Sequence, residues 1–264
     1  MKVKAYLRLV RLKFILVACT LTLFLCIYTG KELHFTIPMV LASITGVSAV
    51  MAICELNDRN IDKIKYERFE FYRKGYNPLV TGEITVDECS RFIFIMFLFT
   101  IFIGVYVGFF YNWLNVALAL LALNAGLVYI LINRTLIGNI FQGLSYFIAV
   151  FAVSYPSISS DIVFLAWGIT FYCISHNIAN QIQDYEFEVG IEKTIATVYG
   201  KRKARVIGLT LLSLSFPWLY VCSLFILPML VLGVVYLVDR KEVQDVLRSL
   251  NYVLLAACFI SLIL

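Results

Sequence analysis

TIPMVLASITGVSAVMAIC, residues 36–54, runs for 19 residues without a charge and then meets ELNDRNID, residues 55–62. An uncharged run of this length matches the roughly 20 residues a helix needs to cross a hydrocarbon layer. Continued as helix, the run places Glu55, Asp58 and Asp62 on one face, because residues three and four apart lie above one another. The stretch therefore reads as a membrane-spanning helix whose end carries an acidic face. Backbone inside lipid must satisfy its own hydrogen bonds, so an all-α fold follows for the spanning part.

The rest of the chain repeats the pattern. Eight more apolar stretches sit at Phe14–Thr29, Phe92–Tyr111, Trp113–Ile132, Asn139–Tyr155, Ile162–Ala179, Val206–Phe225, Ile226–Val238 and Leu250–Leu264. The eighth stretch in chain order, Ile226–Val238, is short for a crossing. Nine transmembrane helices are thus expected in one transmembrane domain over residues 1–264, with polar cap loops at about 55–91 and 181–205. The composition agrees: 61% of the 264 residues are hydrophobic and 15% charged, against about a quarter charged in soluble domains, and the mean hydropathy is +0.88. The basic N-terminal run leads into the first apolar stretch without a small-residue cleavage site, and reads as a retained helix.

Charge placement tests the count. With nine spans, all of the 22 Lys and Arg residues except Lys31 fall on one side, which the positive-inside rule makes cytoplasmic along with the N-terminus. The net charge of +5 then reports membrane orientation, and no nucleic-acid role follows from it. Seven cysteines without a CxxC pair and two distant histidines, His34 and His176, offer neither a disulfide framework nor a zinc site. His176 reads as a polar group facing the bundle interior.

A second acidic cluster, NQIQDYEFE at residues 180–188, ends the sixth stretch. Gln181, Asp184 and Glu188 repeat the three-and-four spacing, and Asn177 and Asn180 add amide oxygens one turn earlier. Four helices separate the two clusters, so both emerge at the same membrane face, and their similarity points to an internal repeat. Like charges at helical spacing repel by about 0.2–0.5 kcal/mol per pair, so a cation belongs among them. Oxygen ligands without His or Cys select a hard ion, and Mg²⁺ bridges carboxylates to substrate phosphates. Two such clusters, one holding metal on Glu55, Asp58 and Asp62 and the other on Asp184 and Glu188, would clamp a diphosphate as a leaving group. Lys193, Lys74, Arg73 and Arg134, all in same-side loops, are placed to neutralise the remaining phosphate charge. The aromatic-rich bundle beneath suits a hydrocarbon tail and an allylic cation.

These residues resemble the UbiA superfamily of intramembrane prenyltransferases. The family's first motif, Asn-Asp-x-x-Asp-x-x-x-Asp, aligns with Cys54, Glu55, Asp58 and Asp62, and its Arg-Pro-Leu-x-Ser-Gly-x-Ile with Asn77-Pro78-Leu79-Val80-Thr81-Gly82-Glu83-Ile84. The second motif aligns with Asp184, Glu188, Gly190, Lys193 and Thr194, with Glu192 as an insertion. Tyr129, Arg134, Gly138 and Asn139 are similar to the family's segment between helices 4 and 5, which holds a basic diphosphate contact. The similarity runs from about Leu7 to Gly200. It implies nine helices around a central cavity, with a cap loop for which Tyr66 to Arg73 is the natural candidate.

The resemblance implies Mg²⁺-dependent transfer of a prenyl group from an allylic isoprenyl diphosphate to a lipophilic or aromatic acceptor, in contact with membrane lipid. Asp58, Asp62, Asp184 and Glu188 are then catalytic, while Tyr129, Asn139, Asn177 and Gln181 contact substrate. Two rivals stand beside this reading. Cys54, Glu55 and Asn77 depart from the motifs, which raises a terpene cyclase that acts on the diphosphate alone. A transporter is the non-enzymatic rival, but ionisable residues near mid-membrane would mark its path, and these clusters sit at helix ends.

Overall fold

The computed structural model describes residues 2–69, 77–132, 135–216, 226–238 and 241–261. Among these the secondary structure is helical: α1 (Lys2–Leu9), α2 (Leu12–Tyr28), α3 (Leu33–Arg68), α4 (Val86–Phe110), α5 (Trp113–Ile132), α6 (Leu136–Ser154), α7 (Ser160–Gln183), α8 (Tyr185–Glu188), α9 (Ile195–Tyr199), α10 (Lys201–Leu214), α11 (Ile226–Leu237) and α12 (Lys241–Ser261). Each of the nine apolar stretches falls at least partly on a helix. Six of the described helices are long and apolar enough to cross a membrane, or seven if α1 and α2, bent by 59° at their junction, form one span. Helices α10 and α11, of 14 and 12 residues, are shorter than a crossing, and residues 217–225 between them lie outside the described set.

The long helices pack in chain order from α2 to α7, then through α10 and α11 to α12, which returns to α2 and closes a ring. Helix α7 is its most enclosed member, with 72% of its apolar window buried, whereas α4 turns most of its Phe and Ile side chains outward and has 11% buried. Close approach on either side of α7 depends on glycine. Gly143 of α6 lets Thr170 Oγ1 donate to its carbonyl at 3.2 Å. A Cβ there would lie 2.9 Å from Ile174 Cγ1. Gly208 of α10 sits against the ring of Tyr236 on α11, whose hydroxyl donates to the Ser175 carbonyl of α7.

Helix α3 positions the site. Its 36 residues extend about 54 Å at 1.5 Å per residue, far beyond the roughly 30 Å hydrocarbon layer. The acidic C-terminal part therefore stands clear of the apolar part without a break. Beside it, α1 lies across the end of the bundle, with Ala5 and Leu9 buried against Ala52, Leu79, Ile84 and Cys89. Lys2 and Arg8 of α1 reach Glu88 and Glu83. Lys31 lies at the opposite end, donating to the Tyr155 carbonyl at 2.7 Å.

Candidate active site

Glu55, Asp58 and Asp62 of α3 line a cavity of about 700 Å³ in the middle of the ring, and Asp184 lines it from the end of α7. The first acidic face forms as its spacing predicts, because α3 remains helical through Arg68. Each end of it is anchored. Arg11 Nε donates to Glu55 Oε1 at 2.5 Å. Asn77 Nδ2 donates to Asp62 Oδ2 at 2.9 Å and to the Glu55 carbonyl at 3.0 Å. Asn77 Oδ1 in turn accepts from the Leu79 amide at 3.0 Å, so one buried side chain ties the 77–85 loop to the acidic face.

Arg11 reaches Glu55 through a local backbone device. It sits between α1 and α2 with φ 48° and ψ 67°, in the left-handed region. For a residue with a Cβ that conformation costs on the order of 1 kcal/mol. The break lets α1 fold over the bundle end while α2 enters it. In the 77–85 loop, hydrogen bonds from Arg8 and then Thr81 hold the Glu83 carboxyl below its usual range.

The second cluster is rearranged by tertiary contacts. The one continuous helical face expected for Gln181, Asp184 and Glu188 does not form, because α7 ends at Gln183 and Asp184 caps it. A single turn, α8, follows, and Gly190 at φ +79° leads the chain away. Asp184 faces the cavity, while Glu188 is fully buried behind its wall. There Glu188 Oε1 is 3.2 Å from Lys65 Nζ, and the same ammonium is 2.7 Å from Glu192 Oε1. Lys65 thereby joins the end of α3 to the segment after α7, beside an edge-on contact of Phe69 and Phe187 with centroids 4.8 Å apart.

The remaining expected residues divide. Tyr129 and Asn177 line the cavity. Asn139 and Gln181 are buried behind them as supports: Asn139 Oδ1 accepts from Asn177 at 2.6 Å, and Gln181 Oε1 accepts from the Ile195 amide at 3.0 Å. Asn177 also donates to the Tyr129 hydroxyl at 3.1 Å. Lys193 is exposed and does not belong to the cavity wall. Arg73, Lys74 and Arg134 lie outside the described residues, as does the second half of the cap segment expected at Tyr66 to Arg73, whose first half, through Arg68, continues α3.

Cations that read as topology in the sequence line the cavity instead: Arg8, Arg11, Lys13, Lys65 and Arg248. Arg248 lies on α12, which begins well before the apolar stretch at Leu250. Its guanidinium donates to Asn180 Oδ1 and, at 2.7 Å, to Asp245 Oδ1, which also accepts from Gln183 at 2.7 Å. Lys13 Nζ lies 4.9 Å from the Tyr252 ring centroid. His176, in the same wall, packs against Tyr252 with centroids 4.7 Å apart. The one available sequence signal was spacing: Lys65 follows Asp62 by three residues and continues its face.

Below this charged end the wall is apolar, with Val17, Leu21, Leu25, Ile169 and Phe259. Lys13 and Leu25 both line it, and 12 residues of helix place them about 18 Å apart. A phosphorylated head group fits the charged end and a hydrocarbon chain the rest.

Among the described residues no three His, Cys, Asp or Glu side chains converge as a ready-made metal cage. Mg²⁺ does not require one, since it keeps several waters and binds through one or two carboxylates plus substrate phosphates. The carboxylates of Asp58 and Asp62, in the cavity wall, fit that requirement. Glu188 does not, because it is fully buried off the cavity wall with an ammonium at its Oε1.

The model of the UbiA prenyltransferase family matches residues 14–261, well past Gly200, where the sequence resemblance ends. Solved structures of like fold include a UbiA homologue from Archaeoglobus fulgidus bound to GPP and Mg²⁺, at 18% identity and TM-score 0.67, covering 98% of this chain and 99% of that one. The same organism's homologue bound to DMAPP and Mg²⁺ matches at 18% identity and TM-score 0.67, covering 98% of each chain. The apo homologue from Aeropyrum pernix K1 matches at 16% identity and TM-score 0.68, covering 94% of each. No curated protein sequence matches the chain.

Proposed function

The chain belongs to the UbiA prenyltransferase family, and from that premise we propose that it ionises an allylic isoprenyl diphosphate and joins the prenyl group to a lipophilic or aromatic acceptor. One observation carries the reading: carboxylates from α3 and from the end of α7, distant in sequence, face one cavity whose far part is apolar. The A. fulgidus homologues bound to prenyl diphosphates and Mg²⁺ support the donor and the ion. The basic residues around this end support an orientation with the cavity mouth at the cytoplasmic face of the cell membrane.

Asp58 and Asp62, with Glu55 beside them, would hold Mg²⁺, and Asp184 faces them from across the cavity. When bound, the ion supplies positive charge that makes diphosphate a better leaving group. Arg11, Lys13 and Arg248 add fixed charge around the phosphate oxygens. Aromatic faces in the wall, among them Phe14, Tyr146 and Tyr172, stabilise the allylic cation left behind. The apolar walls keep water from capturing that cation before the acceptor does.

Product analysis tests this directly. Purified protein incubated with Mg²⁺, allylic diphosphates of several chain lengths and a lipid extract should release diphosphate and yield a prenylated acceptor. Hydrocarbon products from the diphosphate alone would identify a cyclase. Asp58→Asn should abolish Mg²⁺-dependent release while the protein stays folded, and near-normal turnover in that variant would refute the metal assignment.

A further inference from the structure

Four ionisable side chains line the cavity from one face of α3: Glu55, Asp58, Asp62 and Lys65, at spacings of three, four and three residues. The fourth reverses the sign. Its ammonium crosses to the segment after α7 and meets two carboxylates, Glu192 at 2.7 Å and Glu188 at 3.2 Å. The group is enclosed, with side-chain exposures of 4% for Lys65, 0% for Glu188 and 10% for Glu192.

Two carboxylate oxygens converging on one cation make the setting a hard divalent ion would use. Here the cation is part of the chain. A divalent ion shared by Glu188 and Glu192 would have to displace the ammonium from both and leave it buried without them, and breaking a buried pair in that way is strongly unfavourable. Glu192 strengthens the arrangement. It is the residue that interrupts the spacing between Gly190 and Lys193, and it provides the second carboxylate that Lys65 contacts. Its backbone carbonyl is fixed by the Thr197 hydroxyl at 2.8 Å.

We propose that Lys65 is a built-in counter-ion that fills the second cation position of the diphosphate site, so that the donor binds with one divalent ion instead of two. This rests on the prenyl-diphosphate reading above. Asp58 and Asp62 keep the divalent ion, and Lys65, on a cavity wall that also holds Asp184 and Glu192, occupies the position where a second ion would bridge carboxylates to the diphosphate. Lys65 is a positioning residue for Glu188 and Glu192, which it holds together in place of an ion.

The test counts ions. Full-length protein in detergent is titrated with Mn²⁺ in the presence of a thiolo-diphosphate analogue of an allylic donor, which binds without ionising. Bound Mn²⁺ is read by electron paramagnetic resonance, and analogue binding is measured separately by calorimetry. One Mn²⁺ per chain is expected with the analogue bound, rising to two in Lys65→Met, where Glu188 and Glu192 become available. Two Mn²⁺ in the wild type overturns the inference even if Lys65→Met does not fold, and so does a folded Lys65→Met that still binds one. If the analogue does not bind at all, the donor reading falls, and the Lys65 assignment falls with it.

Discussion

Replacing Asn77 by Ala removes three hydrogen bonds from one buried side chain: to Asp62 at 2.9 Å, to the Glu55 carbonyl at 3.0 Å and from the Leu79 amide at 3.0 Å. A neutral hydrogen bond contributes about 1 kcal/mol net and one to a charged group about 2 kcal/mol. The sum is about 4 kcal/mol. Asp62 faces the cavity and regains some solvation there, so a loss of about 3 kcal/mol is expected. At roughly 2–4 °C per kcal/mol for a chain of this class, the thermal midpoint in detergent should fall by at least about 6 °C. Asn77→Asp keeps the shape but sets a second carboxylate against Asp62, so Mg²⁺ should restore part of its stability and none of that of Asn77→Ala. Thermal unfolding with and without Mg²⁺, together with the donor KM from diphosphate release, reads both effects. An Asn77→Ala protein with unchanged midpoint and unchanged KM would show that the loop does not hold the acidic face, and the argument would fail.

Lys193→Ala should change the donor KM by no more than about two-fold, because an exposed residue off the cavity wall is worth about 0.5 kcal/mol or less; a ten-fold rise would return it to the diphosphate. Gly208→Ala forces a Cβ to 2.6 Å from Tyr236 Cε1 as well as onto its hydroxyl, and overpacking of this kind costs about 1–3 kcal/mol. A circular-dichroism melt should show it, and an unchanged melt would mean that α10 and α11 separate easily. The Arg8–Glu83 pair lowers the carboxyl's folded pKa, so its contribution is present above the unfolded value of about 4.3. That contribution is lost as pH falls through the lower folded value. Wild type and Arg8→Ala should therefore differ in thermal midpoint at neutral pH and converge in acid, and a gap that widens in acid would contradict the pairing.

Helix spans and the first acidic face were legible in the sequence because both are local. An uncharged run of 19 residues can bury its backbone only as helix, and three- and four-residue spacing puts Glu55, Asp58 and Asp62 together wherever that helix goes. The second cluster had the same spacing but not the same outcome. There the end of α7 at Gln183 and a buried contact from Lys65 turned Glu188 away from the cavity, and neither is visible in a local pattern.

Basic residues show the same division. Their placement along the chain is enough to predict an orientation in the membrane, since that prediction depends only on loop order. Which of them enter the cavity depended on the left-handed turn at Arg11, the early start of α12 and the closing of the ring between α12 and α2. Sequence periodicity thus determined the helices and their acidic ends. Long-range packing alone decided which charges meet, because a charge pair such as Lys65 with Glu188 joins residues 123 positions apart and no spacing rule reaches that far.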